Sequence, residues 1–485
     1  MSKLKQSIQN FKSQYGETVY RFFLISFIIH ICAVIFSEGF HRPDEHLGIM
    51  RFVGYKLGIL QANEALPSWE YPAQIRPWLQ PYFYYLVGVI PVKLGFSNPF
   101  FLTFLMRLVS SLLGYFAHLC LFTTTSKFFK SSKSLHVYAF GLSLLWFLPF
   151  FHARTSAENL STSLFLFGFS LFIKKIDSLD AKTKFSGTTK DIILISLFWG
   201  LSFICRYQMI VMSGPVLIWI FLKVENNKKL LIGGILTFIL VQILSFPIDF
   251  LGYREWTLAP WNYFKENIIS GKSSQFGTDP FWYYLSKTFS RGIPFISFFL
   301  IIPAFWMFIK KPLHLFSLTG LIFLLIHSLI GHKEIRFIFP MAPLAAFYAA
   351  YAVDNIKRDI LPKWLWKFLI FQTFIALIIS SFKPAHNPIK FYKFLYQNEI
   401  SKVYTLNVIR DQLFFYQNRK IEFQHVKSPL DIPEKSYYLL ADRLREHDCK
   451  IEYSSYPIWL IENFSRYLKK SRVWTLAKCG AQNQN

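Results

Sequence analysis

The chain is built from repeated apolar blocks separated by short charged or Pro/Gly-containing stretches. A bilayer core about 30 Å thick is crossed by about 20 helical residues, which is the length of these blocks. Residues 164–172 and 231–244 are apolar almost all round, whereas the helices of a large soluble bundle would keep a polar face. With 53% apolar and only 17% charged residues, the sequence predicts a polytopic α-helical membrane protein.

About eleven blocks have the length of a transmembrane helix. They cover residues 20–38, 99–125, 135–151, 158–173, 190–205, 207–223, 230–248, 291–309, 313–331, 336–353 and 365–382. A further block, 81–96, is short and bracketed by prolines, and we expect it to be re-entrant or interfacial. The first block follows a basic flank without a small-residue cleavage pattern, which favours a retained signal anchor.

Lysine is concentrated in alternate connections between these blocks, which are residues 126–134, 174–190, 223–229, 310–311 and 354–363. Cytoplasmic loops carry such an excess, so the amino terminus is expected to be cytoplasmic and the carboxyl terminus to lie opposite. Counting 81–96 as a span would place the first two lysine-rich loops on the wrong side. The net charge of +25 therefore reports topology, and we expect no nucleic-acid partner.

The other connections hold most of the acids, histidines, tryptophans and remaining arginines, which places function on the extracytoplasmic face. Two are long, residues 39–80 and 249–291. The stretch 46–60 has the apolar stripe of a helix lying in the membrane interface. Aromatic and charged residues alternate in the second loop, as they do in segments at the headgroup layer.

Residues 1–384 are expected to form the membrane module, and residues 385–485 a small extracytoplasmic α/β domain. Strand-like segments at 402–408, 420–426, 436–442 and 449–455 alternate there with helix-like segments at 409–417 and 459–470. No nucleotide-binding glycine pattern occurs in this region. Its cysteines, Cys449 and Cys479, can pair if the compartment is oxidising.

The densest cluster of titratable residues, "HRPDEH", follows the first apolar block. A carboxylate at the end of a spanning helix is costly unless it is hydrated or functionally held. Asp44 and Glu45 are adjacent, so on a helix their side chains diverge by about 100°. We expect one to carry chemistry and the other to have a structural or orienting role. The alternative is that Asp44 only caps the helix that follows.

Cations on the same predicted face favour the functional interpretation. His332, Lys333 and Arg336 stand in "GHKEIRF" between two spans, where they can form a phosphate site at a helix amino terminus. The alternative is an ordinary snorkelling flank. Further cations there are Arg76, Arg154, Arg206 and Arg254. Together they indicate a lipid-phosphate substrate and a carboxylate that activates a nucleophile.

Four motifs follow one another over about 300 residues. They are "HRPDEH" with "ALPSWEYPAQIRPWLQP", then "ARTSAEN", "DFLGYREWTLAPWNYFKENIISGKSSQFGTDPFWYYL" and "HKEIRFIFP". In this order they resemble glycosyltransferase family 22. That family includes the mannosyltransferases of GPI-anchor and N-glycan precursor assembly, together with bacterial relatives. Arg42 is an insertion relative to the family pattern, and the α/β tail favours a bacterial relative.

The resemblance implies a GT-C fold, an inverting α-mannosyltransferase activity and a polyprenyl-phosphate-mannose donor. The acceptor would be a lipid-linked glycan or a glycolipid. Asp44 becomes the candidate general base, with Glu45 beside it in the catalytic motif. The candidate donor-phosphate residues are His332, Lys333, Arg336 and Arg76. Candidate substrate contacts are His41, Trp69, Trp78, Arg154, Trp261 and Asn262.

No His/Asp cluster in the sequence requires a metal, and we expect metal-independent catalysis without a cofactor. A GT-C enzyme that transfers another sugar would carry the same motifs. A lipid-linked sugar transporter or flippase is an alternative from another class, although it would favour an internal repeat, and none is seen. The membrane is expected to be a bacterial inner membrane with a periplasmic site, or alternatively the ER membrane with a luminal site.

Overall fold

Helices precede a mixed sheet in this computed structural model, which describes residues 2–66, 68–356, 362–386, 388–406, 413–417, 420–441, 449–468 and 473–480. The first helices are α1 (Ser2–Tyr15), α2 (Glu17–Phe36), α3 (Arg51–Lys56), α4 (Ala62–Ala65), α5 (Leu79–Lys93), α6 (Pro99–Thr125), α7 (Ser132–Leu144), α8 (Leu148–His152), α9 (Ala157–Lys174) and α10 (Thr189–Cys205). They are followed by α11 (Ile210–Lys223), α12 (Lys228–Tyr253), α13 (Ala259–Phe264), α14 (Tyr283–Arg291), α15 (Pro294–Lys310), α16 (Leu315–Leu329), α17 (Ala342–Asn355), α18 (Lys363–Phe382), α19 (Ile389–Gln397) and α20 (Ile458–Leu468).

The strands are β1 (Thr183–Lys184), β2 (Val224–Glu225), β3 (Lys402–Leu406), β4 (Glu422–Val426), β5 (Tyr437–Ala441), β6 (Lys450–Ser454) and β7 (Thr475–Cys479). Two segments are π-helical, Glu45–Met50 and Lys265–Ile269. Short 3₁₀ turns occupy Ser126–Phe128, Tyr207–Met209, Lys272–Phe276, Ile335–Met341, Phe414–Tyr416 and Pro429–Asp431.

The helical part is that of a multi-span membrane protein. Among the described residues, five helices are long and apolar enough to cross a bilayer, namely Glu17–Phe36, Pro99–Phe128, Lys228–Tyr253, Ile335–Asn355 and Lys363–Phe382. Helices α15 and α16 together pass the same test and meet at a bend of 110°. Every predicted span coincides with helical segments. Span 135–151 is divided into α7 and α8, and spans 207–223 and 336–353 begin with 3₁₀ turns. The number of crossings stays a prediction.

The connecting loops gather at two ends of the helical bundle. At one end Arg154 donates to the carbonyls of Ser37 and Gly39, which joins the loop before α9 to the loop after α2. At the other end Lys311 pairs with Asp180. Helix α9 runs from the first end to the second, and its 18 residues span about 27 Å.

Helix α5 is flanked on both sides by residues of the first end. The N–H group of Trp78 donates to Asp249 at the end of α12, and Phe100 packs against Tyr416 beside the carboxyl-terminal sheet. Leu86, Ile90 and several later side chains of this segment are exposed. The interfacial or re-entrant position expected for 81–96 stays a prediction.

Small residues allow the helices of the membrane part to approach closely. A Cβ at Gly141 would lie 2.8 Å from the Cβ of Ala346, and one at Gly168 would lie 2.7 Å from the indole nitrogen of Trp199. Close approach through small residues is typical of helix packing in membranes. The largest buried cluster fills the space between these helices, and Phe316 stacks on Phe347 within it at 3.7 Å.

The carboxyl-terminal strands form a five-stranded sheet in the order β4–β3–β5–β7–β6. The β3 pairs with β4 and β5 are parallel, and the β7 pairs with β5 and β6 are antiparallel. The four predicted strands coincide with β3 to β6, whereas β7 was not predicted. Cys449 and Cys479 form a disulfide. The predicted helix 459–470 corresponds to α20. Residues 409–412 of the predicted helix 409–417 lie outside the described residues, and the described remainder contains only the 3₁₀ turn Phe414–Tyr416.

The sheet shares a buried core with the helical part. Leu60, Ala65 and Phe100 from the membrane module pack with Leu440 and Leu476 of the sheet. The sheet is therefore fixed next to the loop that carries "HRPDEH". The division into domains at residue 384 stays a prediction.

Candidate active site

Asp44 is at the centre of a group of charged side chains at the first end of the bundle. Its Oδ2 accepts a hydrogen bond of 2.7 Å from Nη2 of Arg336 and lies 3.6 Å from Nη2 of Arg76. The carboxylate caps no N–H group of the described helix that follows it. Its side chain remains 41% exposed. The geometry therefore favours an accessible functional carboxylate over a helix cap.

Each of the two arginines is held by a second carboxylate. Arg76 binds Glu70 through two hydrogen bonds of 2.9 and 2.7 Å, and Arg336 binds Glu334 through two of 3.1 and 2.8 Å. Paired contacts of this kind fix the plane of a guanidinium group. Both arginines are therefore oriented before any substrate arrives.

A buried ion pair extends the network behind Arg336. Glu158, in the first turn of α9, lies 2.7 Å from Arg206 and 3.5 Å from Arg336. Its side chain is 2% exposed, and a buried charge requires such partners. Arg42 joins at the outer side by pairing with Glu334 at 3.2 Å. Five separate parts of the sequence thus meet in one network, at residues 42–44, 70–76, 158, 206 and 334–336.

The charge state of Asp44 follows from its neighbours. Burial by the surrounding protein raises its pKa, but the guanidinium groups of Arg76 and Arg336 outweigh that effect and lower the pKa to about 2. The group is consequently a carboxylate at neutral pH, as an acceptor of a proton must be.

Glu45 differs from Asp44 in its exposure, its hydrogen-bond partners and its pKa. It is 2% exposed, and its Oε1 accepts the backbone N–H groups of His41 and Arg42 at 3.0 and 3.3 Å. Burial raises its pKa to about 7. These contacts fit the structural or orienting role that was expected for one of the two carboxylates, and a catalytic part for Glu45 stays a prediction.

The remaining predicted phosphate residues, His332 and Lys333, lie on the loop before Arg336. His332 Nε2 is 3.8 Å from Glu334, so its ring borders the charged group. Lys333 is buried, and its ammonium group donates to the carbonyls of Asp279 and Gly331 at 2.8 and 3.3 Å. Burial lowers its pKa. In this arrangement Lys333 positions the 277–279 loop rather than contacting a phosphate.

Two candidate substrate contacts are structural in this arrangement. Trp78 is fully buried, and its ring stacks on Phe52 at 4.6 Å, so no face remains for a sugar. Arg154 is also buried, and its guanidinium donates to main-chain carbonyls of residues 37, 39 and 150. These two predictions are corrected, since both side chains are fully used in packing and loop fixation.

The other candidate contacts are accessible. His41 reaches the surface beside Phe150. Partial loss of hydration around its ring, together with the positive charge of nearby arginines, lowers its pKa to about 4. Trp69 is partly exposed under the ammonium group of Lys272 at 3.9 Å. Trp261 is exposed, and Asn262 donates to Thr257 at 2.9 Å. Their roles toward a substrate stay predictions.

Comparison with known proteins identifies the family. Residues 21–414 match the description "Alg9-like mannosyltransferase family". The chain belongs to this family. The match includes all of the motifs that resembled glycosyltransferase family 22, and that prediction is confirmed.

Two curated relatives of the Alg9-like family show the level of sequence identity. The chain is 26% identical to "GPI alpha-1,2-mannosyltransferase 3" of Bos taurus over 348 residues, which are 70% of this chain and 60% of the bovine protein. It is 24% identical to the Homo sapiens protein of the same name over 369 residues, which are 75% and 62% of the two chains. The chain thus spans about 60% of the length of the curated relatives it matches.

The GT-C fold is shown by a solved structure, that of ArnT from Cupriavidus metallidurans bound to undecaprenyl phosphate. The TM-score is 0.60, with 9% identity, 96% of this chain covered and 99% of ArnT covered. The predicted GT-C fold class is confirmed at this level.

No group of three or more His, Cys, Asp or Glu side chains within the described part of this family member is arranged to hold a metal ion. Metal-independent catalysis stays a prediction that chelation can test.

Sequence reasoning missed three carboxylates of the site. Glu70, Glu158 and Glu334 bind the arginines that were predicted, yet they were read only as letters of the motifs "SWEY", "ARTSAEN" and "HKEIRF". Glu70 lies six residues from Arg76 and Glu334 lies two residues from Arg336, and these short separations were the available signal. Glu158 binds Arg206 and Arg336 from a distant part of the sequence, so no local spacing marked that pairing.

Proposed function

We propose that the chain is a membrane glycosyltransferase that moves mannose from a polyprenyl-phosphate-mannose donor to a hydroxyl group of a lipid-linked glycan or glycolipid. The observation that carries this proposal is the meeting of the accessible Asp44 carboxylate with Arg336 and Arg76 at one end of the bundle. Membership of the Alg9-like mannosyltransferase family supports mannose. The names of the relatives support an α-1,2 linkage.

Asp44 is the proposed general base. A sugar hydroxyl is a poor nucleophile, and a carboxylate that accepts its proton as the new bond forms contributes about 10²- to 10⁴-fold. Inversion at the anomeric carbon requires one displacement, hence one base and no covalent carboxylate partner. This role suits Asp44, which is ionised and accessible, while Glu45 is buried against the backbone.

Arg336 and Arg76 are proposed to bind the phosphate that leaves with the lipid. Negative charge develops on this phosphate as the glycosidic bond breaks, and preorganised cations stabilise it without reorganisation. The forks to Glu334 and Glu70 support such preorganisation. His332 is a further donor at the rim, and Lys333 acts indirectly through the 277–279 loop.

We propose eleven crossings, a cytoplasmic amino terminus and an extracytoplasmic site. Support comes from the lysine-rich loops, which meet one another at the end opposite the site: Lys311 pairs with Asp180, and Lys130 N–H binds Asp354. The disulfide between Cys449 and Cys479 supports an oxidising compartment for the sheet. Cysteine accessibility to a membrane-impermeant reagent in sealed vesicles would test this orientation.

The activity is tested with membranes that contain the chain and radiolabelled polyprenyl-phosphate mannose. We expect labelled glycolipid that extraction and mass analysis identify as an acceptor extended by one hexose. Parallel reactions with other polyprenyl-phosphate sugars establish the sugar. Absence of product with every lipid-phosphate sugar would contradict the proposal and favour transport of such a lipid instead.

A further inference from the structure

Asp44 occupies the position that a donor phosphate would need. One oxygen, Oδ2, stands between Nη2 of Arg336 and Nη2 of Arg76, at 2.7 and 3.6 Å. Each of these nitrogens also donates to the glutamate of its forked pair, Glu334 or Glu70, so Asp44 shares both guanidinium groups with those carboxylates. A phosphate oxygen placed between the same two guanidinium groups would therefore collide with the carboxylate or repel it.

Asp44 is also the most replaceable anion of the network. Glu70, Glu334 and Glu158 hold their arginines through paired or buried contacts, and their side chains are much less exposed than that of Asp44. Asp44 binds Arg336 through a single hydrogen bond. An arriving anion would accordingly displace Asp44 and leave the guanidinium groups in place.

The charges of the network balance in the absence of a substrate. Within the part of the chain that the structure describes, four arginines (Arg42, Arg76, Arg206 and Arg336) are joined by ion pairs to four carboxylates (Asp44, Glu70, Glu158 and Glu334). A phosphodiester adds one negative charge. Two adjacent anions on the same N–H groups are disfavoured by their mutual repulsion, so one of them has to leave.

We propose that Asp44 fills the anion position between Arg76 and Arg336 while the donor is absent, and that the donor phosphate takes this position and releases the carboxylate. This inference rests on the proposed function and adds an order of events to it. The donor would bind before the acceptor hydroxyl is activated. A carboxylate freed from its guanidinium partners is a stronger base, since those partners favour its ionised form.

The inference makes an unusual prediction for binding. Asp44→Asn removes the competing charge but keeps a side chain of the same shape, so purified full-length protein in nanodiscs should bind polyprenyl phosphate about tenfold tighter than the wild type. Titration with a fluorescent polyprenyl phosphate measures both affinities. The matched control is Asp180→Asn, because Asp180 is 38% exposed and pairs with Lys311 at 2.7 Å at the opposite end of the bundle.

The control variant should bind like the wild type. Equal or weaker binding by Asp44→Asn, or equal tightening in both variants, would overturn the inference. Neither result affects the proposed function, which fails instead if the wild type binds no polyprenyl phosphate or if Asp44→Asn transfers mannose normally.

A kinetic measurement on the wild type keeps the inference testable if Asp44→Asn does not fold. An acceptor analogue whose receiving hydroxyl is replaced by hydrogen should inhibit uncompetitively against the donor, because it binds only after the donor. A noncompetitive or competitive pattern against the donor would contradict the donor-first order, whatever the activity of the enzyme.

Discussion

The two ends of the helical bundle both carry ion pairs, but they are organised differently. At the lysine-rich end the pairs are separate, as in Lys311 with Asp180, whose side chains are 46% and 38% exposed, and Lys175 with Asp191, at 27% and 19%. At the other end arginines share carboxylates: Arg336 alone contacts Asp44, Glu334 and Glu158. The number of charges does not separate the two ends, whereas their connectivity and burial do.

This difference has a physical reason. Exposed lysines stabilise one orientation of a protein in the membrane, and they need no fixed partner for this. A site that binds a phosphate needs guanidinium groups in defined positions, and buried carboxylates supply that fixation. Shared, buried arginine pairs therefore indicate the functional end, and the following experiments test whether that distinction holds.

The largest expected effect is on mannose transfer, compared between variants of two aspartates that are similarly exposed at opposite ends of the bundle. Asp44→Asn should reduce mannose transfer at least about 10²-fold, because a positioned general base is lost. Asp180→Asn should leave transfer unchanged. Initial rates with saturating polyprenyl-phosphate mannose measure both, and correct insertion is verified by size-exclusion profiles. Turnover of Asp44→Asn above about a tenth of the wild type would rule out the base assignment.

The second effect compares two glutamates, each in the first turn of a helix. Glu158→Gln should cost about 3–5 kcal/mol of stability, because it leaves Arg206 buried without its partner at 2.7 Å. Glu17→Gln, at the start of α2 and paired with Lys12 and Arg21 in an exposed position, should leave the thermal unfolding temperature nearly unchanged. Equal losses in the two variants would show that burial does not distinguish the two ends.

The helices and the meeting of the motifs could be predicted from the sequence because both have local signals. Apolar length predicts spans, and lysine-rich loops predict which loops share an end. Asp44 and Arg336 are separated by 292 positions, yet the alternation of sides was enough to place them on one face. The interfacial or re-entrant position of α5 rests on the same count and stays a prediction.

Side-chain use could not be predicted in the same way. Trp78 and Arg154 have the composition of ligand-binding residues, and only packing shows that one stacks on Phe52 and the other holds the loop at 37–39. The separate roles of Asp44 and Glu45 were open in the sequence as well. They depend on which carboxylate faces the arginines, and that is a property of the turn.

A smaller effect concerns the pH dependence of stability at the site. Glu45 has an ordinary pKa of 4.5, and burial raises it to about 7 in the folded protein. Below pH 4.5 both states are protonated. Between pH 4.5 and 7 only the unfolded state loses this proton, so the contribution of Glu45 to stability falls as the pH rises through this range.

Glu45→Gln should remove this fall, because an amide can still accept the N–H groups of His41 and Arg42 but does not ionise. Unfolding temperatures in detergent at a series of pH values from 4.5 to 8 measure the slope. Asp44 does not contribute there, because its lowered pKa of about 2 affects stability only in acid. An unchanged slope in Glu45→Gln would contradict the assignment.

The smallest effect is expected from the exposed pair at the lysine-rich end. Lys311→Met removes the contact with Asp180, and exposed pairs contribute about 0–1 kcal/mol because solvent and salt screen them. The change should decrease further in high salt and leave both transfer and lipid-phosphate binding unaltered. Since the carboxylate left behind remains hydrated, no buried charge is created. A loss above about 2 kcal/mol, well beyond the usual value of an exposed pair, would mean that simple pairs at this end also fix the fold, and connectivity would then cease to distinguish the site.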